Sequence, residues 1–343
     1  MKILQNTLYI TAPEQYLSLD GENIVVSKER QEVARLPLHN IGGIVTFGHA
    51  GASPGLMGAC AKRGISISFL SRSGRFLARV VGEEHGNVLL RQQQYRIADQ
   101  EPQRLFYAKS FIIGKLYNAK WVLERTCRDH GMRVEEAALK SASQKISAAL
   151  QMVEGAQDLG QLRGIEGEAA AVYFGVFDHM ILQQKHAFAF HGRNKRPPRD
   201  NCNALLSFVY TLLAHDVASA LETVGLDPYV GFMHSARPGR ISLALDLMEE
   251  LRNVYADRFV LSCINKNMVK ESGFAAAENG AVRMDEETRR TILSAWQSKK
   301  QEPLKHPFLE EKICWGLVPI VQAQLLARTI RGDLDAYPTF LWK

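Results

Sequence analysis

The sequence is short of the features that place a protein quickly. Its five cysteines (Cys60, Cys127, Cys202, Cys263, Cys314) are far apart and odd in number. That excludes a disulfide framework or a thiolate metal cluster and points to reduced thiols in a cytoplasm. No apolar run reads as long enough to cross a bilayer, and "MKILQNTLYITAPEQ" lacks a signal-peptide pattern, so no membrane is expected as a partner. No Walker loop, dinucleotide fingerprint, Ser-His-Asp elbow or Cys-His nucleophile is found. Repeats and low-complexity linkers are missing too. Acidic residues are outnumbered, 36 against 42 Lys and Arg, giving a net charge of +6. That balance is compatible with nucleic acid but does not require it. What remains is a globular chain of 343 residues, 46% hydrophobic and 23% charged, with room for two domains.

Up to about residue 95 the pattern is that of β-structure. "NTLYITAPEQYLSLDGENIVVSKE" alternates around Asp20-Gly21, a hairpin signal, and "ISISFLSRSGRFLARVVG" repeats the device around Ser73-Gly74. "GASPGLMGACAKRG" between them predicts a short helix, with Ser53 as N-cap, Pro54 at the first helical position and Gly64 after the end. From about Pro102 the period becomes helical. Helices are expected over "PQRLFYAKSFIIGKLYNAKWVLERT", Val134–Val153, Glu166–Gln183, "NALLSFVYTLLAHDVASALETV" closed by Gly225, "ISLALDLMEELRNVYADRFVLSCIN", and roughly Phe308–Ile330. The expected fold class is α+β. A small β-sheet domain (residues 1–95) precedes a larger all-α domain (96–343), with a polar transition between them.

Candidate chemistry lies in the helical half. In "RGIEGEAAAVYF", Glu166, Ala170, Tyr173 and Phe177 fall on one helix face, so Glu166 turns inward. Glu168 lies about 200° around and points elsewhere. "HGRNKRPPRDN" crowds Arg193, Lys195, Arg196 and Arg199 into a segment that two prolines keep extended, ahead of a helix N-terminus capped by Asp200 or Asn201. That is a phosphate-binding arrangement or a solvated basic loop. On the helix that follows, Asn203, Ser207 and Tyr210 make a polar stripe. It lines a groove or is satisfied internally. In "GFMHSARPGRISLALDLMEELR", His234 sits in a loop before a helix that carries Asp246 and Glu249 on one face, with Arg237 and Arg240 as further candidate DNA contacts. Each residue alone is ordinary. Together, Glu166, His234 and Glu249 give two carboxylates and an imidazole, which suits Mg²⁺ or Mn²⁺ better than zinc. A cation there would offset the burial of the Glu166 charge.

The ordered combination of "GIEGEAAAVYF", "GRNKRPPRDNCNALLSFVYTLL" and "GLDPYVGFMHSARPGRISLALDLMEELR" resembles the CRISPR-associated spacer-acquisition integrases, the Cas-one family, and its overall look is that of the subtype accompanying type I-C systems. The resemblance implies a metal-dependent DNA endonuclease and integrase with an N-terminal β domain that dimerises. It implies partnership with DNA and with a dimer of the small Cas-two protein, and insertion of captured foreign DNA into a CRISPR array. It also implies metal ligation by Glu166, His234 and Glu249, with Asp246 as a second acid near the site and with Tyr210 and the basic loop as DNA-binding positions near the substrate. Glu249 departs from the Asp that many relatives carry at the third ligand position. Two other readings stay open: a non-catalytic nucleic-acid-binding scaffold, and a metal-dependent DNA repair nuclease.

Overall fold

The structure, a computed structural model, describes residues 6–12, 14–48, 50–71, 76–80, 82 and 87–343. The alternating N-terminal pattern becomes β1 (Asn6–Ile10), β2 (Gln15–Asp20), β3 (Asn23–Lys28), β4 (Gln31–Pro37), β5 (Ile41–Phe47) and β6 (Gly51–Ala52). Helix α1 (Pro54–Lys62), β7 (Ser66–Leu70) and β8 (Phe76–Val80) follow. One sheet runs β1-β5-β7-β8 and the other β4-β3-β2-β6. The Asp20 hairpin forms as expected: β2 and β3 pair antiparallel with Asp20 opposite Asn23, and Gly21 takes φ +57° in the turn. The turn expected at Ser73-Gly74 lies outside the described residues, but its flanking strands β7 and β8 do pair antiparallel. The Ser53 hydroxyl accepts the Leu56 N–H at 3.2 Å and caps α1 as predicted. Leu17, Ile24 and Val26 from one sheet share a core with Ile10, Ile44 and Ile67 from the other and with Leu56 and Cys60 of α1.

The helical half begins with α2 (Val88–Asp99), α3 (Glu101–His130), α4 (Glu136–Gly155), α5 (Leu159–Gly175), α6 (Asn201–Val224) and α7 (Ser242–Leu251). A π-helical turn (Arg252–Asp257) leads into α8 (Arg258–Asn265). Short strands β9 (Phe274–Ala276) and β10 (Val282–Met284), α9 (Glu286–Gln301), β11 (Pro303–Lys305), β12 (Lys312–Cys314) and α10 (Val318–Arg331) complete the order. The chain divides into two compact units: residues 1–86 with 284–302, and residues 87–283 with 303–343. The boundary expected at 95/96 falls inside α2, which goes with the second unit; α9 goes with the first, where Arg290 donates to Thr11 Oγ1 at 3.1 Å.

Several expected helices shift. Helix α5 starts at Leu159, where the Asp158 carboxylate caps the Gln161 N–H at 2.8 Å. It ends at Gly175, so Phe177 lies in the 3₁₀ turn after it. The stretch from Phe308 carries β12 before α10 begins at Val318, and β11 pairs antiparallel with β12, so the second unit is not purely helical. Helices α2 and α9 lie outside the expected set; Asp285 caps α9 by accepting the Thr288 N–H at 2.7 Å. The expectation that no apolar run could span a bilayer is corrected by α6, whose mean hydropathy of 1.5 passes by length and composition. That stretch is 67% buried in the second unit, as a core helix is. Helix α3 packs on α4, α5 and α7, and α6 packs on α7 and α10.

Candidate active site

Helices α3 and α7 approach closely because Gly114 has no side chain. A Cβ there would lie 2.7 Å from the Glu250 Cβ and 2.5 Å from Thr339 Cγ2. The close approach delivers the next residue, Lys115, onto the inner faces of α5 and α7. Its ammonium pairs with Glu166 Oε1 and lies 2.8 Å from Glu249 Oε2. Arg252, in the π turn, donates to Glu249 Oε1 at 2.7 Å. Glu166 is therefore the inward acid that the helical period predicted, with its side chain 22% exposed, and Glu168 is exposed. Glu249 is buried. Burial opposes its charge, but Arg252, Lys115 and His234 together hold its carboxyl down to about 2. Arg252 in turn is held firmly protonated against burial by Glu249, Tyr210 and Asp257.

The His234 loop is built on Asp246. One carboxylate oxygen accepts the N–H groups of Phe232 (2.6 Å) and Met233 (2.9 Å); the other accepts that of His234 (2.9 Å) and faces His234 Nδ1 at 2.6 Å. Gly231 makes room, since a Cβ there would stand 2.7 Å from Asp246 Oδ2. The carbonyl side of the loop is anchored by Arg104 to Phe232 O (3.0 Å) and Arg163 to Met233 O (2.8 Å). A carboxylate can only accept, so Nδ1 donates to Asp246, and in the neutral imidazole Nε2 presents its lone pair. Among the described residues Nε2 has no hydrogen-bond partner. Asp246 is thus fully engaged in orienting His234.

The polar stripe on α6 is satisfied internally. The buried Asn203 amide accepts from Arg193 Nη1 (2.6 Å) and the Asn194 N–H (3.1 Å), and it donates to Gly192 O (2.9 Å) and Asp200 Oδ2 (2.8 Å). Ser207 Oγ accepts from Arg193 Nη2 at 3.0 Å, and Tyr210 donates to Asp257. Asp200 is the N-cap of α6, and Gly225 closes it at φ +86°. The basic loop therefore splits: Arg193 turns inward over the Tyr210 ring, whereas Lys195, Arg196 and Arg199 stay exposed. Burial, Arg252, Arg193 and Arg196 lower the Lys195 pKa, and Glu249 raises it, so the loop stands in the field of the acid site. Arg237 is exposed; Arg240 is half-buried, its pKa lowered by burial and by Arg237, Arg196 and Arg163.

Among the described residues no group of three His, Cys, Asp or Glu side chains closes around a single metal position. The reason is visible: the Lys115 ammonium stands where Glu166 and Glu249 converge. The donor set nevertheless fits a divalent cation. Two carboxylates already share one cation, Glu249 Oε2 is buried without a hydrogen bond despite its ion pair with Lys115, and His234 offers an unshared lone pair.

The profile of the family described as CRISPR associated protein Cas1 matches residues 8–298. The chain belongs to the Cas1 family. Cas1 relatives align end to end with it: a CRISPR-associated endonuclease Cas1 of Rhodospirillum rubrum is 52% identical over 100% of both chains, and one of Chlorobaculum tepidum 48% over 100% of both. The fold is shared with a casposase bound to integration product (TM-score 0.83, 23% identity, 98% of this chain and 93% of that one). It is also shared with a Cas1 protein from Thermotoga maritima (TM-score 0.80, 21% identity, 96% and 97%). In this Cas1 chain, sequence reasoning missed Lys115, Arg252, Arg104 and Arg163. Lys115 stands out afterwards as a charge next to a glycine in the apolar run "FIIGKLYNAKW". Arg252 is three residues past Glu249, a helical ion-pair spacing.

Proposed function

We propose that this protein is a divalent-metal-dependent DNA endonuclease and integrase that inserts captured foreign DNA into a CRISPR array by phosphodiester transfer. The carrying observation is one cation position shared by two acids, Glu166 and Glu249, together with a histidine that is held by Asp246 and acts electrostatically on Glu249. Family membership and the casposase and Cas1 fold neighbours support the same reading. Glu166, His234 and Glu249 would hold Mg²⁺ or Mn²⁺. When bound, such an ion polarises a phosphoryl oxygen and neutralises charge developing in the transition state. Lys195, Arg196, Arg237 and Arg240 draw the DNA backbone toward the acids. Arg252, kept charged by Glu249, stands ready to meet a transferring phosphate. A 3′-hydroxyl of the incoming DNA is the nucleophile in integration, and water is the nucleophile in cleavage.

The assembly we assign is a homodimer formed through the N-terminal β domain, joined to a dimer of the small Cas2 protein and acting in the cytoplasm in a type I-C system. A Cas6-RT-Cas1–Cas2 complex is among the fold neighbours (TM-score 0.81, 21% identity), with this chain covering 36% of that one. The test is Glu166→Gln, which keeps shape and removes charge. Mn²⁺-dependent cleavage and integration should be lost with folding retained, and Glu168→Gln should stay active. Full activity of Glu166→Gln at saturating metal would remove Glu166 from the ligand set.

A non-catalytic DNA-binding scaffold is the second reading, and Lys115 favours it, because its ammonium already balances both carboxylates. Thermal shift separates the two. The metal-dependent reading requires stabilisation by Mn²⁺ that a chelator reverses, and the scaffold reading requires none.

A further inference from the structure

A second cationic site lies elsewhere in the helical unit. A cavity of about 260 Å³ opens between the end of α3 and the end of α8, and Arg125, His130, Arg133, Arg258 and Lys266 line it with Asp129 as its one acid. None of Lys115, Glu166, His234 or Glu249 lines it. Arg125 is ten residues beyond Lys115 on the same helix, about 15 Å at a helical rise of ~1.5 Å per residue, so this is not the acid site.

The cations here are held in place. The Arg125 and Arg258 guanidiniums lie over the Trp342 indole, 4.9 and 4.4 Å from its ring centre, and the Trp342 backbone N–H is fixed by Asn118 Oδ1 at 2.9 Å. Stacked guanidiniums lose little further freedom on meeting an anion. Arg133 is steadied by donating to Leu182 O at 3.3 Å. The acid is already shared: Arg125 and Arg128 each donate to one of its oxygens, at 3.2 and 3.1 Å. Among the described residues the His130 imidazole and Lys266 ammonium have no partner. Four permanent cations line the cavity against one carboxylate, which pairs with Arg125, and this excess of positive charge makes an anion site. Met180 and Leu182 supply apolar wall for a neutral portion of the ligand. The volume falls just under the ~300–1,000 Å³ of drug-sized pockets, which suits one nucleotide.

We infer that this cavity binds a phosphate-bearing ligand of single-nucleotide size. It is either a free nucleoside monophosphate or the 5′-phosphorylated end of a DNA strand. The inference does not depend on the acid site being catalytic. The experiment is titration calorimetry on the full chain with five probes: deoxyadenosine monophosphate, deoxyadenosine, a short single strand with a 5′-phosphate, the same strand without it, and polyglutamate. The variant is Arg133→Glu with Lys266→Glu. Both residues are exposed and neither is one of the guanidiniums that lie over Trp342, so folding should survive, and circular dichroism checks this. Binding of the monophosphate but not the nucleoside, weakened about tenfold or more in the variant, supports the site with a free nucleotide as ligand. Binding of the strand that needs its 5′-phosphate and weakens likewise, with no monophosphate binding, supports the DNA end. The inference is overturned if neither phosphate probe binds. It is also overturned if binding is unchanged in the variant but lost in Arg196→Ala, which returns the phosphate to the basic loop. Binding of an acidic polypeptide such as polyglutamate alone would make the cavity a protein-docking site and would equally overturn it.

Discussion

Helix α7 carries two adjacent glutamates, both nearly free of solvent, and they end in opposite states. Glu249 (6% exposed) meets Lys115 at 2.8 Å and Arg252 at 2.7 Å, and its carboxyl is held at about 2. Glu250 (0% exposed) meets only neutral donors: the Tyr337 hydroxyl, Gln322 Nε2 at 3.0 Å and the Phe340 N–H at 2.8 Å. Burial pushes the Glu250 carboxyl up to about 7, and its three donors counter only part of that. Burial opposes ionisation on both faces; full positive charges reverse it, and dipoles do not. One face of the helix thus holds a permanent anion suited to a metal or a phosphoryl reaction. The other ties the segment from Tyr337 to Phe340 onto the helix, with Asn118 bonded to the carbonyls of both Glu250 (2.6 Å) and Phe340 (2.7 Å).

The comparison breaks most severely at Glu249. Glu249→Ala leaves Arg252 without its carboxylate and Lys115 with only one. We expect no cleavage at any Mn²⁺ concentration and a loss of about 3–5 kcal/mol in denaturant melts. Retained, metal-responsive activity would show that Glu249 is not a ligand.

Next is the pH dependence of stability, where the two faces predict opposite slopes. The Glu249 carboxyl is depressed in the fold, so its stabilisation is present above the unfolded value of 4.5 and is lost as pH falls toward about 2. The Glu250 carboxyl is raised, so its stabilisation is present below 4.5 and is lost as pH rises through about 7. Its share is roughly 3 kcal/mol between those values. Glu250→Gln should flatten the decline between pH 4.5 and 7 in urea melts. An unchanged slope would mean that Glu250 does not titrate there.

A smaller effect separates ligand from positioner. Asp246→Asn weakens the support of His234 and should cost about 10–100-fold in metal affinity or activity, partly restored by added Mn²⁺. If this variant is dead at every metal concentration while Glu249→Ala responds, the two roles are exchanged. The smallest effect lies in the basic loop. Arg196→Ala should lower the salt slope of DNA binding by about 0.9 for each phosphate that Arg196 neutralises. Arg193→Ala should destabilise the Asn203 network and leave that slope unchanged.

Much of this is legible in sequence, and the legible part is local. Ser53 and Asp200 as caps, Gly225 as a stop and the Asp20 hairpin depend on a few consecutive residues. The inward Glu166 and outward Glu168 follow from a 3.6-residue period over one helix. Local signals fail where they are weak: α2 reads as polar transition, and the start of α5 at Asp158 is masked by the stronger pattern at Glu166. The Phe308 region carries apolar residues at mixed spacing, and only pairing with β11 makes part of it a strand.

By itself the sequence determined the two-part character of the chain and the helix faces. Only the tertiary structure decided the states of the acids. Lys115 comes from 51 residues before Glu166, Arg104 from 128 before Phe232, and the neutral donors of Glu250 from 72 to 90 residues after it. A helical period fixes the direction in which a side chain points. The charge it carries depends on what stands opposite, and packing brings those partners in from distant parts of the chain.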